Sequence, residues 1–238
     1  PTMSPKATDA QIRARFGQLP LYFIENQGQV DACVAYYVQG WGKTLYFAPD
    51  GITFVLSGLD ASQAAHHQAG HEMAPGVVQP PTEKLLRWIL KLDFVGANPD
   101  VEPIGRDLTP AVVSYFRGSP EQWKAGLRTY STVVYPDVWS GIDLVYSGVV
   151  NRLKYQFVVE PGADPGQIEL AYRGATALRI NEAGQLEVST PVGSLYDDRP
   201  HAYQEVDGQE VKVDMAYEVR AEAATDAYVY GFRVGGYD

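Results

Sequence analysis

Residues 153–189 read LKYQFVVEPGADPGQIELAYRGATALRINEAGQLEVS. Apolar residues dominate or alternate with polar ones in four short runs, at 153–159, 168–172, 178–180 and 186–189. Pro-Gly, Asp-Pro-Gly and Glu-Ala-Gly separate these runs, and such residues favour tight turns because they preset or tolerate the required backbone angles. Short runs spaced by roughly 8 to 12 residues are typical of β-sandwiches and barrels. The stretch therefore predicts consecutive antiparallel strands.

The same pattern continues over most of the chain. Pro49-Asp50-Gly51 lies between two strand-like runs and predicts a hairpin turn, in which glycine takes a positive φ. No alternating helical segments accompany the strands, which disfavours a parallel βαβ sheet. The fold class predicted is all-β, a mainly antiparallel β-sandwich. The further predicted strands are 21–24, 32–39, 43–48, 52–56, 84–95, 112–116, 129–135, 142–146, 194–196, 202–206, 211–219 and 227–234.

We expect these strands to form two packed lobes, residues 19–118 and residues 119–238, that meet near residues 118–128. Residues 58–83 are rich in Gly, Ala, Gln, His and Pro without any period, which predicts a flexible insertion in the first lobe. Residues 1–18 form an N-terminal arm with one short predicted helix at residues 10–16. The abrupt end of the last strand-like run suggests that more protein follows residue 238.

Composition limits the expected partners. The formal net charge of −10 repels phosphate backbones, so nucleic acid is not an expected partner. No apolar run approaches the roughly 20 residues that span a bilayer, so membrane insertion is not expected. Hydrophobic residues make up 45% of the chain, enough for a core that requires no cofactor or disulfide. Cys33 is the one cysteine, and its place in the alternating run 32–39 predicts that it is buried.

Two sequence features resemble ligand sites without completing their patterns. His66, His67 and His71 include the i, i+4 spacing that can hold zinc on a helix, but the stretch lacks helical periodicity and the His-Glu-x-x-His order. Whether they bind a metal stays open. Gly-Trp-Gly-Lys-Thr at 40–44 resembles the end of a phosphate-binding loop, yet Tyr37 stands where that loop needs a glycine.

Acidic and amide residues in turns could bind Ca²⁺, but none of these stretches has the spaced acidic ladder that supplies six or more oxygens. We interpret them as ordinary turn residues, and Ca²⁺ binding stays open. These residues are Asn98, Asp100, Asp164, Asp197 and Asp198.

No pattern indicates catalysis. There is no Gly-x-Ser-x-Gly elbow, and His201 follows Pro200 at a predicted strand edge, which favours a surface or packing role. We therefore predict no catalytic, cofactor-binding or metal-binding residues. The tryptophans are expected in the core or in turns, whereas an exposed aromatic patch would instead indicate a sugar-stacking surface. They are Trp41, Trp88, Trp123 and Trp139.

Several phrases, from residue 19 onward, resemble one bacterial domain in the same order. LPLYFIENQGQ at 19–29 is similar to its opening "LPLxFxxNxGQ", and YPDVWSGIDLVY at 135–146 to its "YxDVYPGIDLVYY". FVGAN at 94–98, SYFRG at 114–118 followed by Trp123, and LKYQFVVEPGADP at 153–165 give further matches.

That domain is the N-terminal β-rich domain of bacterial secreted or surface proteins that carry SBBP-type β-propeller repeats. The resemblance implies an extracellular or cell-surface location and carries over no catalytic residue. Lys154 and Gln156 replace acidic positions of the pattern and Ser140 replaces proline, so any metal or substrate role of those acids would be absent here.

The functional expectation is a non-enzymatic extracellular or cell-surface structural or assembly module of a larger bacterial protein. Its partner would be a protein or a second copy, joined through edge strands such as residues 227–234. The alternatives are a carbohydrate-binding module, favoured by the Tyr and Trp content, and a glycan-processing enzyme that uses two carboxylates.

Overall fold

The structure is a computed structural model that describes residues 20–40, 42–59, 85–149, 152–221 and 226–237. The predicted helix at 10–16, nearly all of the predicted insertion 58–83, Trp41 and the three clustered histidines lie outside these residues.

Antiparallel strands dominate the described residues, which confirms the all-β class and the antiparallel pairing. Two short 3-10 helices, Pro120–Gln122 and Pro165–Gln167, accompany them. The strands are β1 Phe23–Glu25, β2 Tyr36–Gly40, β3 Lys43–Ala48, β4 Gly51–Leu59, β5 Leu85–Val95, β6 Ile104–Tyr115, β7 Lys124–Trp139, β8 Ile142–Val149, β9 Arg152–Val159, β10 Glu169–Arg173, β11 Ala177–Ile180, β12 Leu186–Thr190, β13 Gly193–Asp197, β14 Ala202–Val206, β15 Gln209–Val213, β16 Met215–Ala221 and β17 Ala227–Val234.

The chain divides into two compact units, and each draws residues from both sides of residue 118. The first comprises residues 1–40, 46–49 and 97–163, and the second comprises residues 41–45, 50–96 and 164–238. The lobe bounds predicted from sequence stay a prediction.

In the first unit, the long strand β7 organises the sheet. It pairs with β6 along one side, and with β1 and β8 at different points along its length. β1 also pairs with β2, and β8 with β9. Side chains of these strands and of the end of β3 form an aromatic core, in which the ring of Phe47 on β3 lies 5.2 Å from Phe23 and 5.4 Å from Tyr146 in edge contacts.

A tight turn links β7 to β8 within the motif YPDVWSGID. Asp137 has φ of +49°, and its backbone N–H donates to Asp143 Oδ1 over 2.7 Å. Asp137 Oδ1 in turn accepts from the N–H of Gly141 at 2.7 Å. Aspartate tolerates this left-handed conformation because its short side chain bonds local backbone groups.

In the second unit, five strands follow the order β16-β17-β10-β5-β4. Tyr172 of β10 is paired with Leu92 of β5, and its ring stacks on Tyr230 with centroids 5.7 Å apart. Separate small sheets are formed by β11-β12-β13 and by the β14-β15 hairpin, whose turn is the predicted Asp207-Gly208.

Two details differ from the sequence expectation. The predicted strand at 32–39 begins only at Tyr36, because Asp31 Oδ1 accepts from the N–H of Cys33 and fixes a turn there. The prediction that Cys33 is buried is therefore wrong, and it is exposed. Residues 227–234 are also not an edge strand, since β17 pairs with β10 on one side and β16 on the other.

Candidate functional site

A cavity of about 400 Å³ opens within the first unit. Its wall combines tyrosine rings, glutamine amides and two cationic side chains, and no aspartate or glutamate is among the described residues that line it. The lining residues are Gly28, Gln29, Val30, Tyr37, Gln39, Tyr46, Tyr115, Arg117, Gly118, Gln122 and Lys124.

One wall is the loop that follows β1, and Asn26 fixes its shape. The Asn26 Nδ2 group donates to the carbonyls of Asp31 at 2.8 Å and Val34 at 2.7 Å. Its Oδ1 accepts from the N–H of Gly28 at 3.0 Å. One amide side chain thus satisfies backbone groups on both sides of the loop, and this places Gly28, Gln29 and Val30 at the cavity.

The inner surface carries three tyrosines from β2, β3 and β6. The buried ring of Tyr37 lies 6.3 Å from the rings of both Tyr46 and Tyr115. Gln29 Nε2 donates to the Tyr37 hydroxyl at 3.2 Å, and the Tyr115 hydroxyl donates to Gln39 Oε1 at 2.8 Å. Burial, with a contribution from the hydrogen bond to Tyr115, raises the pKa of the Tyr37 phenol well above its ordinary value, so the phenol stays protonated at neutral pH.

The opposite wall is the segment between β6 and β7. The N–H of Ser119 donates to Gln122 Oε1 at 3.2 Å, closing the turn around the 3-10 helix. Gly118 has φ of +76°, a left-handed backbone conformation that favours glycine. Arg117 and Lys124 lie at either end of this turn, and both line the cavity.

The two cations give the cavity a positive charge within an acidic protein. Neither Arg117 nor Lys124 forms an ion pair with another described residue. A Cβ added at Gly28 would lie 3.8 Å from Lys124 Nζ, which places the ammonium beside the Asn26 loop. The site can thus offer two full positive charges, amide donors and acceptors, and aromatic surface to one ligand.

An exposed aromatic pair adjoins this wall along the chain. Phe116 is 64% exposed and Trp123 46% exposed, and their rings meet edge to face with centroids 5.3 Å apart. The indole N–H of Trp123 donates to the carbonyl of the lining residue Gly118 at 3.3 Å. Trp123 thus has the expected turn-packing role only through this one contact. Much of its ring faces solvent.

The other tryptophans in the described part have packing roles. Trp139 is buried, and the half-buried Trp88 donates its indole N–H to the carbonyl of Gly174 at 2.7 Å. His201 is exposed and lies against Tyr203, with ring centroids 6.0 Å apart.

Three of the acidic and amide turn residues accept hydrogen bonds from nearby protein groups, two from local backbone and one from a side chain. Asp164 Oδ1 accepts from the N–H of Gly166 at 2.8 Å, and Asn98 Oδ1 from the N–H of Asp100 at 3.0 Å. Asp198 Oδ1 accepts from Gln185 Nε2 at 3.0 Å. Within the described ranges, no three His, Cys, Asp or Glu side chains come together as ligands for a metal ion.

The sequence patterns indicate none of the cavity residues as a site. Tyr37 is notable only because it occupies the position where a phosphate-binding loop would have glycine. Tyr46 and Tyr115 are ordinary members of strands. The available signals are the polar turn at 25–29 and the Arg-Gly pair before Trp123. Neither indicates a site alone, because residues far apart in the chain meet in the cavity only through strand pairing.

Residues 23–238 match the family model described as Domain of unknown function (DUF7948). The chain belongs to this family. No curated protein and no solved structure matches the chain. Among the described residues of this DUF7948 member, no helix is long and apolar enough to cross a membrane.

Proposed function

We propose that this DUF7948 domain is a non-enzymatic recognition module that binds carbohydrate in the tyrosine-lined cavity of its first unit. The observation that carries the proposal is the grouping of Tyr46 and Tyr115, which pack against the buried Tyr37, with glutamine amides around one cavity. Tyrosine offers an apolar ring face together with a polar hydroxyl, and amides offer donors and acceptors side by side. Sugar rings present the complementary surfaces, with apolar C–H faces and hydroxyl edges.

The exposed pair of Phe116 and Trp123 neighbours the lining residues Tyr115, Arg117 and Lys124 along the chain, and we include it in the proposed binding surface. Exposed aromatic rings beside a concave site suit a chain of sugars better than a single small molecule. The resemblance of the chain, from about residue 19 to its C-terminus, to a domain of secreted repeat proteins supports an extracellular or cell-surface location within a larger bacterial protein. The proposed fold is the β-sandwich expected from the strand pattern.

Binding to a glycan array tests this function. We expect the wild-type protein to bind a defined set of glycans, and Trp123→Ala to weaken that binding roughly tenfold or more because aromatic anchors dominate such surfaces. Trp123 is partly exposed, so its removal should leave the circular dichroism spectrum unchanged. Tyr203→Ala, which removes an exposed ring from β14 in the second unit, is the matched control. Absence of glycan binding, or equal losses in both variants, would contradict the proposal.

A second candidate function is assembly through an open strand edge. β6 favours it, because β7 is its sole strand partner among the described residues, and Leu108 and Val112 on β6 are exposed. The occupant would be a second copy of this chain, whose edge strand would extend the sheet.

A further inference from the structure

We infer that the cavity is specific for acidic carbohydrate, a glycan whose sugars carry carboxylate groups, and that Arg117 and Lys124 bind those carboxylates. This inference rests on the proposed function and adds to it the chemical class of the ligand.

The first step is the charge balance. The chain carries a formal net charge of −10, so two cations on one cavity wall stand against the net charge of the protein. Some described cations form ion pairs: Lys91 Nζ lies 2.7 Å from Asp50 Oδ2, and Arg220 Nη1 lies 2.9 Å from Glu169 Oε1. Arg117 and Lys124 form no ion pair with described residues, and they line one cavity whose described wall contains no aspartate or glutamate. A ligand in this cavity would therefore meet two cations and no described carboxylate.

The second step is geometry. The turn at 118–122, closed by the hydrogen bond from the Ser119 N–H to Gln122 Oε1, joins Arg117 to Lys124, and both residues line the same cavity. Arginine offers a planar fork of donors that matches a carboxylate with two parallel hydrogen bonds. Lys124 adds a compact charge beside the Gly28 backbone. The two cations can therefore bind the carboxylates of two successive sugars, or they can bind the two oxygens of a single carboxylate.

The third step combines charge with the rest of the wall. A site for a bare anion needs only cations and N–H donors, whereas this wall also carries three tyrosines and the amides of Gln29, Gln39 and Gln122. Hydroxyl-bearing rings that also carry carboxylates satisfy all of these groups together. Uronic acid polymers have this composition.

Calorimetric titration with two matched oligosaccharides tests the inference. The probes are a tetrasaccharide of galacturonic acid and a neutral tetrasaccharide of galactose. We expect the acidic sugar to bind at least about tenfold more tightly, and its affinity to fall as NaCl rises from about 50 to about 500 mM because exposed charges are screened. Arg117→Gln and Lys124→Gln should each weaken acidic binding about tenfold and weaken neutral binding much less, so the ratio of the two affinities should fall.

Matched controls remove equal charge elsewhere in the same unit. Arg106→Gln on β6 and Lys154→Gln on β9 alter exposed cations outside the cavity lining, and they should leave both affinities unchanged. Thermal unfolding of each variant checks that it folds.

The outcomes separate the two proposals. Equal affinity for both sugars, or equal losses from cavity and control variants, overturns acidic specificity while carbohydrate binding stands. Binding of poly-glutamate or inorganic phosphate as tight as that of the acidic sugar also overturns it, in favour of a general anion site. Failure of both sugars to bind, together with an empty glycan array, overturns the proposed function itself.

Discussion

Asn26 shows how a single side chain shapes the candidate site without lining its interior. Its amide bonds four backbone groups of the loop at 26–34, two of them over 2.7 and 2.8 Å. Glutamine, one methylene longer, would displace the amide from these groups. Asn26 therefore acts as a positioning residue for the wall formed by Gly28, Gln29 and Val30.

Replacing Asn26 by alanine should lower the free energy of unfolding by about 2 kcal/mol, since partly buried backbone groups lose their hydrogen-bond partners. Urea unfolding followed by tryptophan fluorescence measures the change. Gln27→Ala, in the same loop but exposed, should change stability by no more than about 0.5 kcal/mol. Equal losses in the two variants would show that Asn26 does not organise the loop.

At the scale of elements, β6 and β17 have similar kinds of residues but differ in how many neighbouring strands they pair with. Both contain apolar, β-branched and aromatic residues. β17 is paired on both sides, and Tyr230 lies between Leu170 on one neighbour and Val219 on the other. β6 pairs only with β7 among the described strands, and two register shifts interrupt that pairing. Bulges of this kind are a common protection of sheet edges.

Amide hydrogen exchange should distinguish these two strands. The amides of β17 should exchange on average about 100-fold more slowly than those of β6, because they open only with the strands on both sides. Mass spectrometry of peptides covering 227–234 and 106–115 gives the comparison. If β6 pairs with a second copy, its protection should rise between micromolar and millimolar protein. Protection of β6 equal to that of β17 at low concentration would contradict its assignment as an open edge.

At the scale of the whole molecule, buried tyrosines couple stability to alkaline pH. Burial raises the pKa of the Tyr172 phenol well above its ordinary value of 10.0, and the charge of Asp197 adds to the effect. Burial likewise raises the pKa of Tyr36. Below about pH 10 these phenols are protonated in both folded and unfolded chains. Above it the unfolded chain ionises while the folded chain does not, so unfolding becomes more favourable as pH rises.

The free energy of unfolding should therefore fall above about pH 10, by up to about 1.4 kcal/mol per pH unit for each such phenol. Urea unfolding at about pH 9, 10 and 11 measures the slope. Tyr172→Phe removes one ionisable group and should make the slope shallower, whereas Tyr203→Phe, on an exposed ring, should leave it unchanged. An identical slope in wild type and Tyr172→Phe would show that Tyr172 does not contribute.

The sequence by itself determined the fold class and most of the strand positions. The predicted strand at 227–234 has the bounds of β17, and that at 202–206 has the bounds of β14. Alternation and turn residues suffice here because a strand buries one face, and its turns need residues with special backbone angles. Such constraints act within a few neighbouring residues, so they can be recognised in the sequence.

Only the tertiary structure decided which strands lie side by side and where a site forms. Cys33 is exposed because its N–H donates to the side chain of Asp31, which fixes a turn there. β17 is an interior strand because it pairs with β10, which lies far earlier in the chain. The cavity joins β2, β3 and β6 with two loops, and its charge depends on which cations lack acidic neighbours. Pairing between strands that are far apart in the sequence sets these neighbours. The local alternation of apolar and polar residues does not indicate which strands will pair.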